Sequence, residues 1–273
     1  MSESKAFNEK YCDSKCALDS CSKSISTATH LDLSNCGLQE IPAVIQEAVK
    51  LQSLNINRNE ISRLKGVEGL SNLRVLEANN NWIKDLGDLK NLPKLEVLSL
   101  GANRLKQLQE MDLVDKKKAV LTHLDLSANS LEKIENLNEH RALEALHLGN
   151  NRISRIEHLS ALKNLEYLRL NDNEIVEIEG LEQLTSLERL DLRYNEIERV
   201  QGLYSLRNLA RLDLDGNPLK GRKDEKLLEQ LLGSSVEERR RNSFQMARKA
   251  VELSRRRQLS SWGRVKETIK DWF

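Results

Sequence analysis

A repeat of 22 residues constrains this chain more than any other feature of its sequence. The clearest copy, LEALHLGNNRISRI at residues 143–156, fits the pattern L-x-x-L-x-L-x-x-N-x-I-x-x-I. The opening leucine recurs at Leu51, Leu73, Leu95, Leu121, Leu143, Leu165, Leu187 and Leu209. Successive copies are 22 residues apart, apart from one interval of 26. Such a period indicates stacked copies of one supersecondary unit.

Within each copy, alternating apolar and polar residues predict a short strand. Leu146 and Leu148 point to one face, which becomes the core, and His147 points to the other. Asn151 follows where the chain leaves the strand, and its amide can bond backbone groups that no strand ladder satisfies. Stacking predicts a column of such asparagines at Asn59, Asn81, Asn103, Asn129, Asn151, Asn173, Asn195 and Asn217.

One copy cannot bury enough apolar surface to fold alone, so the stack also needs a cover at each end. Residues 30–41, HLDLSNCGLQEI, form a degenerate first copy in which Cys36 takes the asparagine position as a small buried residue. Residues 224–232, DEKLLEQLL, precede Gly233 and predict a helix that caps the other end. The copy from Leu95 has four extra residues in its return limb, at residues 107–120.

These repeats resemble those of leucine-rich repeat proteins. The 22-residue period is similar to that of the subclass containing the nuclear regulatory subunit of protein phosphatase 1 and several ciliary proteins, and the likeness covers residues 28–219. It implies an α/β fold: a solenoid with a concave parallel β-sheet and a convex face of 3₁₀ or short helices. The resemblance is specific for fold and much less specific for function.

We predict three segments along the chain. Residues 1–27 are a flexible N-terminal arm, residues 28–232 form the solenoid with its capping helix, and residues 233–273 form a basic, amphipathic helical extension. From Ser234 to Phe273 there are 11 Lys and Arg against 5 Asp and Glu. The tail residues that we expect to bind a partner are apolar, namely Phe244, Trp262, Val265, Ile269, Trp272 and Phe273.

Composition excludes several classes of function. The 43 Lys and Arg balance 42 Asp and Glu, which argues against a general nucleic-acid or membrane-surface binder. No apolar run is long enough to span a membrane, and the polar start does not resemble a secretory signal. We therefore expect an intracellular protein of the cytoplasm or cytoskeleton, with the nucleus as the alternative. All four cysteines lie in the first 36 residues, without zinc-site spacing, and we expect reduced thiols.

The sequence contains no catalytic motif. It has no phosphate-binding glycine loop, no nucleophile elbow and no His-Glu metal motif, so we predict no enzymatic activity, metal or cofactor. The five histidines occupy ordinary repeat positions. We expect His123 and His147 to lie on the concave side as solvated or hydrogen-bonded imidazoles.

Side chains at equal repeat positions become neighbours on the concave face, and its C-terminal half is crowded with charge. Arginine and tyrosine are enriched at binding hot spots. We therefore predict a partner site at Tyr167, Arg169, Arg189, Asp191, Arg193, Tyr194, Arg211 and Asp213. The alternative is that these charges pair across strands and only keep the sheet soluble. A second predicted contact is Trp82, which stands in an otherwise mostly charged surface column, although it can also pack on a neighbouring loop.

We interpret the chain as a non-enzymatic scaffold for protein partners, without a small-molecule substrate. The resemblance suggests a structural subunit of a large cytoskeletal assembly such as the ciliary axoneme, and the aromatic tail favours this version. The alternative is a regulatory subunit that binds a protein phosphatase 1 catalytic domain through the concave face. A ribonucleoprotein-associated adaptor is a third hypothesis, which draws on the basic tail.

Overall fold

The structure is a computed structural model, and it describes residues 25–89, 91–109, 120–203 and 205–220. Most of the predicted arm, most of the longer return limb, the capping helix and the whole C-terminal extension lie outside the described residues. The same holds for the predicted tail contacts Phe244, Trp262, Val265, Ile269, Trp272 and Phe273. Ile25 is fully buried, so the described core begins within the stretch assigned to the arm.

The described chain forms one parallel sheet of nine three-residue strands in sequence order. The strands are β1 (His30–Asp32), β2 (Ser53–Asn55), β3 (Val75–Glu77), β4 (Val97–Ser99), β5 (His123–Asp125), β6 (Ala145–His147), β7 (Tyr167–Arg169), β8 (Arg189–Asp191) and β9 (Arg211–Asp213). Each strand pairs with the next at equal repeat positions, as Ala145 does with Tyr167. The predicted parallel sheet, its order and its register are confirmed.

The asparagine column holds each strand exit to the preceding repeat. Asn151 donates from Nδ2 to the carbonyls of Leu148 and Leu126, both at 3.0 Å, and accepts the Leu131 N–H on Oδ1 at 2.9 Å. The same set of bonds recurs from Asn59 to Asn217. The column therefore satisfies backbone groups of two repeats at once, as the sequence predicts. Cys36 is half-buried rather than buried, because no further repeat packs against its side in the described chain.

A left-handed residue precedes every member of this column. Its φ lies between 52° and 76° in all nine repeats, although the position includes Ala102, Ala128 and Tyr194, residue types that rarely adopt that conformation. The turn is imposed by the surrounding bonds rather than by local preference. It directs the following asparagine inward, under the sheet.

The return limbs are built from single turns. Apolar residues recur every third position, and Leu162 N–H donates to the Leu159 carbonyl while Leu165 N–H donates to the Leu162 carbonyl, at 2.9 and 3.1 Å. The only helix with both ends in the described residues is a 3₁₀ helix at Ala43–Glu47. The expected short helices are therefore mostly absent from these ranges, because a limb that must return in so few residues closes with isolated i to i−3 bonds.

Most return limbs also contain a second left-handed residue, at Gly180 and Gly202 in the later repeats. A Cβ on Gly180 would collide with the Ile156 carbonyl oxygen of the preceding repeat. His158 occupies the equivalent position one repeat earlier, and its Nδ1 lies 2.8 Å from the Ile134 carbonyl oxygen. Neighbouring return limbs are thus joined either by close backbone packing at glycine or by a hydrogen bond from the His158 side chain.

Candidate interaction surface on the sheet

The sheet face is defined here by the outward side chains of the nine strands and of the two residues after each strand; it is the face predicted to be concave. Its middle is closed by small side chains. Val97 and Ala145 point outward yet are only 2% and 0% exposed, and Ser99 is also buried. Narrow spacing between parallel strands lets adjacent side chains cover one another. This part of the face presents little protruding surface to a partner.

A strip of buried and half-buried polar groups runs through and beside this middle region, and sequence analysis missed its character. Burial raises the pKa of the Glu77 carboxyl, with Asp32 adding to the effect, and burial also raises the pKa of Asp125. Ser127 opposes the shift at Asp125 through hydrogen bonds. The sequence does place Glu77 and Asp125 at the same repeat position. It does not show how far they are buried, because burial depends on the size of the side chains in the neighbouring rows.

The two histidines of the sheet face are buried, so the solvated form is wrong, whereas the hydrogen-bonded alternative is confirmed for His123. His147 is 5% exposed. Burial lowers the pKa of His147 to about 3, and the positive charge of Arg169 and the proximity of His123 add to this effect. His123 Nδ1 lies 2.9 Å from the Thr122 hydroxyl. His147 therefore remains neutral at ordinary pH as part of the packed sheet.

Aromatic and cationic side chains meet at the C-terminal end of the face. Arg189 lies over the ring of Tyr167, with Cζ 5.2 Å from the ring centroid. Burial raises the pKa of Tyr167, Arg189 lowers it, and the nearby glutamates Glu188, Glu166 and Glu144 raise it again. The structure thus brings Tyr167 and Arg189 together as a stacked pair across β7 and β8.

Two other arginines bind an aspartate of their own repeat. Arg193 holds Asp191 with Nε 2.9 Å from Oδ1 and Nη2 2.6 Å from Oδ2, and these bonds raise the pKa of Arg193. Arg211 Nε lies 2.7 Å from Asp213 Oδ2. Pairing therefore exists, but it runs along a repeat instead of across strands as the alternative hypothesis assumed. Alternation places residues i and i+2 on one face, which makes this pairing geometrically direct.

Arg169 differs from these arginines, because its side chain makes no hydrogen bond or ion pair within the described ranges. It is half-buried. Burial lowers the pKa of Arg169, while attraction from Asp191 and Asp125 opposes that effect and Arg193 and Arg189 reinforce it. Its guanidinium is thus partly removed from water without a carboxylate at bonding distance.

Tyr194 and Trp82 are the exposed aromatics of the predicted site. Tyr194 is 59% exposed, and its ring lies where a Cβ of Gly216 would be, so the glycine makes room for it. Trp82 is 42% exposed, and Arg104 Cζ of the next repeat lies 4.7 Å from its ring centroid. Trp82 therefore packs on a neighbouring loop and still presents surface, but it lies several strands away from the group on β7–β9.

Family comparisons match the same repeats. The model described as "Leucine Rich repeats (2 copies)" matches residues 71–113 and 141–183, "Leucine rich repeat" matches 176–219 and "Leucine Rich Repeat" matches 27–47. The chain is a leucine-rich repeat protein. The comparison of this leucine-rich repeat protein with curated sequences gave no match.

Solved structures support the same fold. A leucine-rich repeat protein of Leptospira interrogans is 29% identical with a TM-score of 0.69, over 76% of this chain and 53% of its own. The functional domain of InlJ from Listeria monocytogenes is 24% identical with a TM-score of 0.64, over 78% and 44%. The ectodomain of the Arabidopsis thaliana receptor kinase GASSHO1/SCHENGEN3 is 26% identical with a TM-score of 0.59, over 69% and 24%. The chain thus spans about half the length of the first two.

The described ranges contain no helix that is long and apolar enough to cross a membrane. The same ranges contain no group of three or more His, Cys, Asp or Glu side chains arranged to bind a metal ion. Independently of these absences, a leucine-rich repeat fold is a scaffold suited to contacts with another protein.

Proposed function

We propose that this leucine-rich repeat protein is a non-enzymatic scaffold whose sheet face binds a protein partner at β7–β9. The observation that carries the proposal is the uneven chemistry of the face. Its middle is largely buried, whereas its C-terminal end combines a stacked Tyr167 and Arg189, the half-buried Arg169 and the exposed Tyr194. Tyrosine and arginine are the residue types that most often dominate interface energetics.

The scaffold also holds these side chains in place before binding. The Tyr167 and Arg189 pair spans two hydrogen-bonded strands, and the Arg193 guanidinium is fixed by two bonds to Asp191. Ordering of free side chains on binding costs roughly 0.5–1.5 kcal/mol each. Side chains that are already ordered avoid part of this cost, which favours specific binding over a merely soluble surface.

The larger assembly is proposed from resemblance. The 22-residue period is similar to that of ciliary leucine-rich repeat proteins, and the sequence after residue 233 carries aromatic residues suited to docking. We propose a structural subunit of a cytoskeletal assembly, located in the cytoplasm or cytoskeleton. The alternatives are binding to a protein phosphatase 1 catalytic domain or to a ribonucleoprotein, and the experiment below distinguishes them.

Quantitative mass spectrometry of proteins that co-purify with the tagged full-length chain tests both levels of the proposal. We compare the wild type with a double variant, Arg189→Glu plus Tyr194→Asn. Asparagine suits the left-handed backbone at this position, because Asn80 and Asn150 occupy it in other repeats. Val176→Ser is the matched control, since Val176 is 48% exposed on a return limb of the same region.

We expect a near-stoichiometric partner that the double variant loses and the control keeps. Cytoskeletal or axonemal subunits among such partners support the assembly hypothesis, whereas a phosphatase catalytic subunit as the main partner overturns it and leaves the surface assignment standing. A folded double variant that retains every partner shows that the C-terminal end of the sheet face is not the binding site.

A further inference from the structure

The four arginines at the C-terminal end of the sheet face divide into two classes. Arg193 and Arg211 already bind aspartates of their own repeats. Arg169 and Arg189 make no ion pair in the part of the chain that the structure describes. Cross-strand pairing aligns Tyr167 with Arg189 and Arg169 with Asp191, so the two arginines without carboxylate partners are diagonal neighbours on β7 and β8.

The carboxylates nearest to Arg169 are already bonded to other groups. Both oxygens of Asp191 accept hydrogen bonds from the Arg193 side chain. Asp125 accepts the backbone N–H of Ser127 at 2.8 Å. These two acids attract Arg169 without contacting it, so its N–H donors lack a protein acceptor although the residue is half-buried. The Arg169 nitrogens are not among the buried side-chain atoms that lack a partner, so they remain accessible to a ligand that offers an acceptor.

Arg189 is in a related situation. The Tyr167 ring attracts its positive charge but offers the fork of N–H groups no carboxylate oxygen. Arg189 also lies close enough to lower the pKa of Arg169 by charge repulsion. An anion placed between the two guanidiniums would remove this repulsion and accept hydrogen bonds from both. Planar guanidiniums bind carboxylate and phosphate groups with two parallel bonds.

We propose that Arg169 and Arg189, with Tyr167 between strands, form an anion-binding site that receives an acidic or phosphorylated side chain of the partner. This inference rests on the proposed function and names the chemistry of the partner at that surface. Glu144, Glu166 and Glu188 come immediately before β6, β7 and β8, at the opposite end of these strands from Arg169. Their negative charges repel an anion from the start of the strands and so favour its binding beside Arg169.

Peptide display against the full-length chain tests the inference. One library fixes a central serine, a second carries phosphoserine there, and a third carries Asp or Glu. We expect the phosphoserine or the acidic library to yield peptides that bind at least about tenfold more tightly than their neutral counterparts, as charge-assisted bonds require. The comparison of the two anionic libraries distinguishes phosphate from carboxylate as the recognised group.

The variants identify the site. Arg169→Gln plus Arg189→Gln should remove the preference for anionic peptides, whereas Arg211→Gln should retain it, because Arg211 is already paired with Asp213. Arg189→Lys keeps the charge but not the planar fork, and we expect it to lose most of the preference. Circular dichroism and urea unfolding of each variant establish that it is folded.

The outcomes separate this inference from the function on which it rests. Selection of neutral peptides, or an anionic preference that persists in the folded double glutamine variant, overturns the anion site. If the selected peptides bind the wild type but not the Arg189→Glu plus Tyr194→Asn variant, the assignment of partner binding to β7–β9 remains valid. Peptides that bind equally to every variant overturn both proposals.

Discussion

The middle and the C-terminal end of the sheet face share one backbone conformation but differ in most of their outward side chains. Strands β4–β6 present Val97, Ser99 and Ala145, which are at most 2% exposed, whereas β7–β9 present the half-buried Tyr167, Arg169 and Arg189 and the exposed Arg211. Register, left-handed turn and asparagine bonds are the same in both regions. The inward leucines and asparagines therefore determine the repeat structure, and the outward residues can differ between repeats without changing it.

Glycines show how closely the middle is packed. A Cβ on Gly149 would lie 2.5 Å from Asn171 Oδ1 of the next repeat, and one on Gly101 would lie 3.1 Å from Asn79 Oδ1 and from Ser127 Oγ. Polar side chains of adjacent repeats thus extend over these glycines. Side chains of the protein itself cover the middle region. The C-terminal end is the part of the sheet face that remains for a partner to cover.

We expect the largest difference in stability between the two regions when residues at the same repeat position are substituted. Val97 and Arg189 occupy equal positions, but Val97 is buried. We expect Val97→Asp to lower the free energy of unfolding by about 3 kcal/mol or more, since it places a carboxylate at a position that is only 2% exposed. Arg189→Ser should lower it by no more than about 1 kcal/mol, the contribution of its contact with the Tyr167 ring. Urea unfolding measures both values, and similar losses would contradict the division.

A second difference is the response to pH. His147 has a pKa of about 3 in the fold against an ordinary value of 6.5, because burial disfavours its charged form. Between these values the unfolded chain binds a proton that the folded chain does not, so His147 makes the fold less stable as the pH falls below 6.5.

Between pH 7 and pH 5, His147 should remove up to about 2 kcal/mol of stability. We expect His147→Gln to lose correspondingly less over this interval, as measured by urea unfolding at both pH values. The raised pKa values of Glu77 and Asp125 act in the opposite direction at lower pH, but both groups are present in the two proteins being compared. Equal pH dependence of the two proteins would show that His147 titrates normally in the fold.

The ion pairs of the C-terminal end should differ in their importance for stability. Asp191 is 8% exposed and depends on Arg193, whereas the Arg211 and Asp213 pair is more exposed. We expect Arg193→Gln to cost about 1 kcal/mol or more, because it leaves a buried carboxylate short of donors. Arg211→Gln should cost less than about 0.5 kcal/mol. Thermal unfolding ranks the two variants, and the reverse order would contradict this interpretation.

Periodicity predicted the parts of the fold that repeat. The leucine and asparagine columns predicted nine parallel strands in sequence order, counting the degenerate copy, and the bonds of Asn151 follow from its position after the strand. The sequence was less informative about the return limbs. Their apolar spacing of three residues fits both 3₁₀ helices and isolated turns, and the contacts of Gly180 and His158 with the preceding repeat favour turns.

The neighbourhood of the candidate residues was predictable from the repeat, but their pairing was not. Equal repeat positions placed Tyr167 beside Arg189, and the structure confirms that neighbourhood. The difference between Arg193, which is paired, and Arg169, which is not, depends on side-chain rotamers and on competition for Asp191. Likewise, the burial of His147 depends on how far neighbouring side chains extend, and repeat position alone does not determine this.

The smallest expected effect on stability concerns Tyr194, the most exposed aromatic at the C-terminal end. Tyr194→Asn should change the free energy of unfolding by no more than about 0.5 kcal/mol, because it removes little buried surface and asparagine tolerates the left-handed backbone. A β-branched residue tests the backbone itself: Tyr194→Val should cost about 1 kcal/mol or more at φ 53°. If both variants lose stability equally in urea, the Tyr194 ring supports the repeat through its contact with Gly216. The C-terminal end would then be a structural cap rather than a surface available to a partner.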